Sequence, residues 1–201
     1  MEHRPFITDP RHLAELAGRA YACLRPGGRV TEAFLLLQRT LRSAVGTEEG
    51  SWPSPHMSLQ GFGTLDRPVD AAVTRTILSI VAMWAERIPP LRLETDGADV
   101  FDEERIPILR IKRTPELGAA LADLRARSDA AGLVGGEDGI SVDDWIFHLS
   151  LVYHEGDAWP EVVKTMEGLS MPDASCTVDA VELVSFNGGP ERLLGRFELT
   201  G

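Results

Sequence analysis

The segment PHMSLQGF, residues 55–62, places a histidine and a serine two positions apart within a short apolar run. Ninety-two residues after His56, the segment FHLSLVY (147–153) repeats the arrangement with His148 and Ser150. For a random histidine, the pattern His–apolar–Ser/Thr–apolar has a chance of roughly 2% at this composition. Two occurrences among five histidines would arise in about 0.4% of such chains. We therefore infer that the repeat has a function.

The first motif is predicted to be a strand, in which side chains at i and i+2 share one face. Alternation over 55–62 places His56, Ser58, Gln60 and Phe62 on the same face. Phe62 is then the aromatic side chain best placed to stack against a base, as aromatic residues do in RNA-binding pockets. Gln60 and Phe62 are therefore candidate substrate-binding residues.

The second motif is predicted to be a strand as well. The same alternation places His148 and Ser150 on one face and assigns Trp145 and Tyr153 to the opposite, core-facing side. If helices cover the two apolar faces, both His–Ser faces look into a groove. The four polar side chains then form one site.

Two imidazoles at one groove suit general acid–base catalysis, because a pKa near 6.5 lets one accept a proton while the other donates one. Hydroxyl groups two residues further on, Ser58 and Ser150, would donate hydrogen bonds to anionic oxygens. This arrangement matches in-line attack on a phosphodiester. One histidine takes a proton from water or a ribose hydroxyl, and the other protonates the departing ribose oxygen.

The order strand, helix, His strand, helix occurs twice along the chain. We therefore predict an α+β protein of two related lobes, with residues 1–17 as an N-terminal arm and 18–201 as a single bilobal domain. His3 and His12 fall in the arm and are not assigned to a site. The sequence CTVDAVELVSF (176–186) is predicted to be one strand.

Three helix starts are predicted from N-cap residues. Thr31 precedes a stripe of apolar residues at helical spacing, and Asp66 or Asp70 precedes a second stripe. Thr114 is followed by Pro115 at the first helical position. The Gly-rich segment GLVGGEDG, which begins at residue 132, matches no phosphate-loop pattern and is predicted to be a surface loop.

The paired motifs HMSLQGFG (56–63) and HLSL (148–151) resemble those of the 2H phosphoesterase superfamily, which includes RNA 2′,3′-cyclic phosphodiesterases and 2′-5′ RNA ligase-like proteins. The resemblance implies two antiparallel-dominated sheets facing a central cleft, with helices on the outer faces. It also implies metal-independent chemistry. Carried over by position, His56 and His148 would be catalytic, while Ser58 and Ser150 would bind phosphate.

Two cations and one alternative site complete the candidates. Arg110 and Lys112 share one face of the predicted strand IPILRIKR and would hold a substrate phosphate if that face reaches the cleft, whereas a solvated face is the plainer interpretation. A metal site at His56 and His148 is not predicted, because no third ligand at a recognised spacing accompanies them and HExxH is absent. No cofactor is expected.

Composition limits the choice of partner. A net charge of −11 disfavours binding of an extended nucleic-acid duplex and leaves a small nucleotide or an RNA end as the expected substrate. No apolar run is long enough for a membrane span, and the N-terminus lacks the apolar core of a signal peptide. We expect a cytosolic monomer with two unpaired cysteines.

The sequence thus predicts a phosphodiesterase acting on a 2′,3′-cyclic phosphate or a related 2′-5′ phosphodiester. Two alternatives stay open. The same cleft could work as a 2′-5′ RNA ligase, because microscopic reversibility asks the same of both imidazoles. The protein could also be a non-enzymatic binder of nucleotides or RNA ends.

Overall fold

Two four-stranded sheets dominate the structure and confirm the predicted α+β class. The computed structural model describes residues 3–45, 50–64, 66–133, 135, 140–154, 156–169, 171 and 173–201. Most of the predicted Gly-rich loop lies outside these residues. Among the helices described, none combines the length and apolarity needed to cross a bilayer.

The five described helices are α1 (Pro10–Glu15), α2 (Gly28–Val45), α3 (Ala71–Ala85), α4 (Pro115–Ala130) and α5 (Trp159–Glu167). The strands are β1 (Arg19–Leu24), β2 (Gly50–Ser51), β3 (Met57–Phe62), β4 (Leu91–Phe101), β5 (Ile106–Ile111), β6 (His148–Ser150), β7 (Tyr153–His154), β8 (Ser175–Val178), β9 (Ala180–Phe186) and β10 (Arg192–Glu198).

The first sheet has the strand order β10-β9-β1-β3 and the second has the order β6-β5-β4-β8, while β2 and β7 form a short separate ladder. Neighbouring strands are antiparallel throughout. The strands of the two His–Ser motifs, β3 and β6, are each an edge strand, and they contact each other. The two motifs therefore meet where the sheets come together.

Helices pack on both sheets. Helix α2 follows a strand of the first sheet but packs on the second sheet together with α5, whereas α3 and α4 pack on the first sheet. The apolar stripe of α2 is buried as predicted, with Phe34, Leu37 and Leu41 almost inaccessible to solvent. Burial of these stripes joins the two lobes into one continuous core.

Two of the predicted helix starts are confirmed and one is wrong. The Asp70 carboxylate accepts hydrogen bonds from two amides of α3, and the Thr114 hydroxyl accepts one from α4. Thr31 is not an N-cap, because α2 begins one turn earlier, at Gly28. The Thr31 hydroxyl donates instead to the carbonyl of Pro26 at 2.8 Å.

The prediction of one strand over 176–186 is also wrong. The segment divides at Asp179, so that β8 pairs with β4 in the second sheet and β9 pairs with β1 in the first. Asp179 is an exposed residue of a type depleted in strands. The break lets the chain pass from one lobe to the other.

A β-bulge interrupts the first His–Ser strand. Ser58 lies opposite Cys23 of β1 and Gln60 lies opposite Ala22, which leaves Leu59 as an extra residue. A bulge of this kind reverses the alternation of faces beyond it. The residues after Leu59 therefore turn to the side opposite the one that strict alternation predicts.

The second His–Ser strand is shorter than predicted and also loses its alternation. Strand β6 ends at Ser150, and the next two residues, Leu151 and Val152, are both fully buried. Strand β7 begins immediately afterwards at Tyr153. The pattern set by His148 and Ser150 does not continue past the serine.

The N-terminal arm packs on the face of the first sheet that the helices leave uncovered. The buried carboxylate of Glu191 accepts hydrogen bonds from the backbone amides of Phe6 and Ile7 at 2.9–3.0 Å. Phe6 and Ile7 are buried in a small apolar cluster that is separate from the main core and includes Val184 and Phe186. The arm is thus an integral part of the first lobe.

Candidate active site

Both His–Ser pairs line one cavity of about 490 Å³. His56 and Ser58 reach it from β3, and His148 and Ser150 reach it from β6. A volume of this size is typical of a small-molecule site. The structure therefore brings together the four residues that the sequence selects as the core of the site.

The two imidazoles are held in the same way. Nδ1 of His56 lies 2.8 Å from the carbonyl oxygen of Ser54, and Nδ1 of His148 lies 2.8 Å from that of Ile146. Because a carbonyl only accepts hydrogen bonds, Nδ1 carries the proton in each ring, and Nε2 is left with a free lone pair. Each histidine is thus set up to exchange a proton through Nε2.

Burial makes both histidines neutral in the free protein. It is the largest cause that lowers the pKa of His56 from 6.5 to about 4, partly offset by the hydrogen bond to Ser54. The neighbouring His148 and Arg25 lower the pKa of His56 further. Burial also lowers the pKa of His148, against the opposing effect of its bond to Ile146.

An aromatic ring packs against each imidazole. The Phe6 ring lies 4.7 Å from that of His56 between ring centroids, at an interplanar angle of 31°. The Phe101 ring meets that of His148 edge-on at 4.9 Å. The Phe6 carbonyl also accepts a 2.8 Å hydrogen bond from the amide of Ser54, the residue whose carbonyl holds His56. The arm therefore fixes the orientation of one histidine.

The two serines have different neighbours. The Ser58 hydroxyl lies 3.7 Å from the Cys23 thiol, so this contact is a weak one. Burial raises the pKa of the Tyr153 phenol to about 12, against the opposing effect of the nearby Ser150 side chain. The phenol is therefore neutral at physiological pH.

Gln60 and Phe62 do not line the cavity. Beyond the bulge at Leu59 both side chains turn towards the core, where Phe62 is 1% exposed and the Gln60 amide donates to the Gly61 carbonyl. The expectation that Phe62 stacks against a base is wrong, because the bulge reverses its face. Gln60 is buried for the same reason.

Arg110 and Lys112 lie beside the cavity rather than in it. Arg110 is opposite His148 in the β5–β6 ladder, but its guanidinium pairs with Asp99 at 3.1 Å. The Lys112 ammonium is 3.7 Å from the Glu94 carboxylate and is largely exposed. Neither lines the cavity, so the plainer interpretation of a solvated strand face fits both.

Three lining residues were not predicted to be there. His12 of the arm is buried with its ring 3.8 Å from that of Tyr153 between centroids, and burial lowers its pKa to about 4. Trp145 is buried as predicted and Tyr153 is half-buried, and both line the cavity. No spacing in the sequence points to His12, because its place depends on how the arm folds back.

A metal site is absent from the described part of the chain, where no group of three or more potential ligands among His, Cys, Asp and Glu comes together. The two cysteines are unpaired, Cys23 buried and Cys176 half-buried.

Comparison with known proteins defines the class of this fold and site. The family model of the 2′-5′ RNA ligase superfamily matches residues 39–190, a span that contains both His–Ser pairs. The match covers more than half of the chain, and the protein belongs to this superfamily of 2H phosphoesterases.

Solved structures agree at the level of the fold. LigT of E. coli complexed with 3′-AMP is 17% identical at a TM-score of 0.63, and LigT complexed with NADP+ is 17% identical at 0.61. TT0787 of Thermus thermophilus is 19% identical at 0.64. Each match covers 91% of this chain and 98% of the other. No curated protein matches the chain.

Proposed function

We propose that this protein hydrolyses a 2′,3′-cyclic phosphate or a related 2′-5′ phosphodiester of a nucleotide or RNA end. One observation carries the proposal: two imidazoles, each held at Nδ1 by a carbonyl two residues earlier, line one cavity with Nε2 available. Paired bases of this kind serve proton transfer at both ends of an in-line displacement. Superfamily membership supports the same class of chemistry.

The proposed reaction needs one proton acceptor and one proton donor. Nε2 of one histidine removes a proton from the attacking water as its oxygen bonds to phosphorus. Nε2–H of the other histidine transfers its proton to the ribose oxygen as the P–O bond breaks. The products are a phosphomonoester and a free ribose hydroxyl, and the steps require no metal ion.

The lowered pKa values of the two histidines determine their protonation state before substrate binds. Both histidines are neutral when the cavity holds no substrate, so the base is ready, but the acid has to gain a proton. An anionic phosphate between the two rings favours the charged form of the nearer one and raises its pKa. Binding of the substrate thus prepares the acid.

Three hydroxyl groups surround the position proposed for the phosphate. Ser58 and Ser150 would donate to its non-bridging oxygens. The phenol of Tyr153, which lies close to Ser150, would hydrogen-bond that serine and fix its orientation. This assignment gives each lining hydroxyl of the two motifs a place in the reaction.

The proposal is tested by replacing each histidine with asparagine. Asparagine keeps a side-chain N–H that can donate to the carbonyl of Ser54 or Ile146 but has no group at the position of Nε2. We expect His56→Asn and His148→Asn each to lower kcat by about 10²- to 10⁴-fold while nucleotide binding is largely kept. Lys164→Ala, at an exposed site on α5, is the control.

The substrate panel comprises nucleoside 2′,3′-cyclic phosphates, 2′-5′-linked dinucleotides and RNA with a cyclic phosphate end, each with EDTA. Whether the product carries its phosphate on the 2′ or the 3′ oxygen shows which bond was cleaved. Wild-type turnover in both asparagine variants would refute the catalytic assignment. A protein that binds these nucleotides without converting any of them, with or without added divalent cations, would be a binder. Formation of a 2′-5′ bond from separate RNA ends would identify a ligase.

A further inference from the structure

The cavity extends well beyond the two histidines along the first sheet. Arg19, Tyr21 and Cys23 alternate on β1 and all line it, and Cys23 lies beside Ser58 at the reacting end. Four residues of strand separate the Cα atoms of Arg19 and Cys23 by about 13 Å. Because Cys23 lies at the reacting end, the Arg19 end is far enough from the histidines for more than the reacting phosphate to fit between them.

The surface between these two ends is apolar. It is formed by the small cluster that the arm makes with the first sheet, in which Phe6, Val184 and Phe186 are buried beside the ring of Tyr21. Aromatic and aliphatic surfaces of this kind accept the face of a base or a sugar. The lining therefore suits the uncharged part of a nucleotide.

Arg19 has no counter-ion among the described residues. No carboxylate pairs with it in the part of the chain that the structure describes, and its Nη1 reaches only the Tyr21 hydroxyl, at 3.5 Å. Its Nε is buried and has no hydrogen-bond partner among the described residues. Other arginines near the site are neutralised, as Arg25 is by Glu182 and Arg110 by Asp99.

The distribution of charged side chains around the cavity makes Arg19 the place that attracts an anion. Histidines apart, it is the one cationic residue among the described residues lining the cavity, whereas Glu104 and Asp144 line it from the second lobe. An anionic group is repelled by these carboxylates and attracted by the guanidinium. An unpaired guanidinium binds phosphate through two parallel N–H donors.

Two further polar atoms of the lining are also without a protein partner. His12 Nδ1 and Trp145 Nε1 are buried and have no hydrogen-bond partner among the described residues. Buried polar groups are rarely left unsatisfied in a native protein. Together with Arg19 Nε they indicate that a polar ligand, rather than another described part of the chain, completes the lining of the cavity.

We propose that Arg19 forms a second anion-binding subsite, which takes a terminal phosphate of the nucleotide while the reacting phosphate lies at the histidine pair. The proposal rests on the proposed function and narrows its substrate to a nucleotide with phosphates on both sides of one nucleoside. Arg19 lies outside the 39–190 span that the family model matches, and the proposal therefore rests on the geometry of the cavity and not on family membership.

Binding of two ligands to the intact protein tests the subsite. Adenosine 3′-monophosphate and adenosine 3′,5′-bisphosphate differ by one phosphate, and their Kd values are measured by calorimetry. Because hydrogen bonds to charged groups are strong, we expect the bisphosphate to bind about 10- to 100-fold more tightly. Arg19→Met should remove that preference and leave the monophosphate Kd unchanged, and Arg19→Lys should keep part of it.

Arg92→Met, at an exposed arginine of β4, is the matched control and should keep the full preference. Equal affinities in the unmodified protein, no binding of the bisphosphate, or a preference that survives Arg19→Met in a folded variant would each overturn the subsite. The outcome is separate from that of the catalytic proposal. A bisphosphate preference lost in Arg19→Met, without turnover of any cyclic phosphate, would keep the subsite and refute the hydrolase.

Discussion

Removing the Phe6 ring should raise the pKa of His56. That ring is 4.7 Å from the imidazole, and burial is the largest cause that lowers the His56 pKa from 6.5 to about 4. The difference corresponds to roughly 3 kcal/mol against protonation. Phe6→Ala opens one face of the imidazole to water and also removes the ring over which the Arg25 guanidinium lies at 4.0 Å. Arg25, which also lowers this pKa, is still paired with Glu182 at 2.8 Å. We therefore expect the pKa of His56 to rise by about one unit or more and not to exceed 6.5.

The measurement is an NMR titration of the imidazole carbon-bound protons, with resonances assigned through His56→Asn and His148→Asn. It does not depend on any catalytic activity. Phe101→Ala is a matched control, because the Phe101 ring packs on His148 at 4.9 Å and not on His56. That variant should raise the pKa of His148 and leave the His56 titration where it was.

Two results would refute the reasoning. In the first, His56 titrates near 6.5 in the unmodified protein, so that the arm does not shield it. In the second, Phe6→Ala is folded and leaves the His56 titration unchanged. If Phe6→Ala and Phe101→Ala shifted both histidines equally, a general loosening of the cavity would replace the local explanation.

Three further outcomes are expected. The stability to urea should fall as the pH drops from 6.5 towards 4, because His56 binds a proton in the unfolded chain but stays neutral and buried in the folded protein. At pH 5 this histidine alone should lower the free energy of unfolding by about 2 kcal/mol. A stability that does not change over this pH range would contradict the burial of His56. Phe62→Ala should lower the free energy of unfolding by about 3–5 kcal/mol without changing nucleotide Kd, whereas a weakened Kd would restore Phe62 to the site. Tyr153→Phe should release Ser150 and lower kcat about fivefold, because the loss of one hydrogen bond costs about 1 kcal/mol. Unchanged kinetics would exclude a role of Tyr153 in orienting Ser150.

The four residues of the candidate site could be predicted from the sequence because their signal is local. A histidine and a serine two residues apart on a strand share one face wherever that strand lies, and the second copy made chance an inadequate explanation. Helix starts at Asp70 and Thr114 were equally local, since an N-cap bonds amides within its own first turn. The class of the fold followed from the repeated order of the elements.

Alternation stopped being a guide immediately after each serine. The bulge at Leu59 turned Phe62 into the core, and the end of β6 at Ser150 brought Tyr153 round to the cavity. Both changes depend on the neighbouring strand. Whether an extra residue is accommodated is decided by the pairing with β1, which is distant in sequence.

The sequence alone thus predicted the four side chains that line the cavity together, because each His–Ser pair is contained within four consecutive residues of its motif. Only the tertiary structure decided what surrounds them. Phe6 and His12 reach the cavity through the folding of the arm onto the first sheet, where the carboxylate of Glu191, near the far end of the chain, holds the arm. Arg19 reaches it from β1, whose place in the sheet depends on pairing with β9. Contacts between segments so far apart in the chain produce no periodic pattern in the sequence. They arise from burial and pairing of segments whose spacing along the chain is arbitrary.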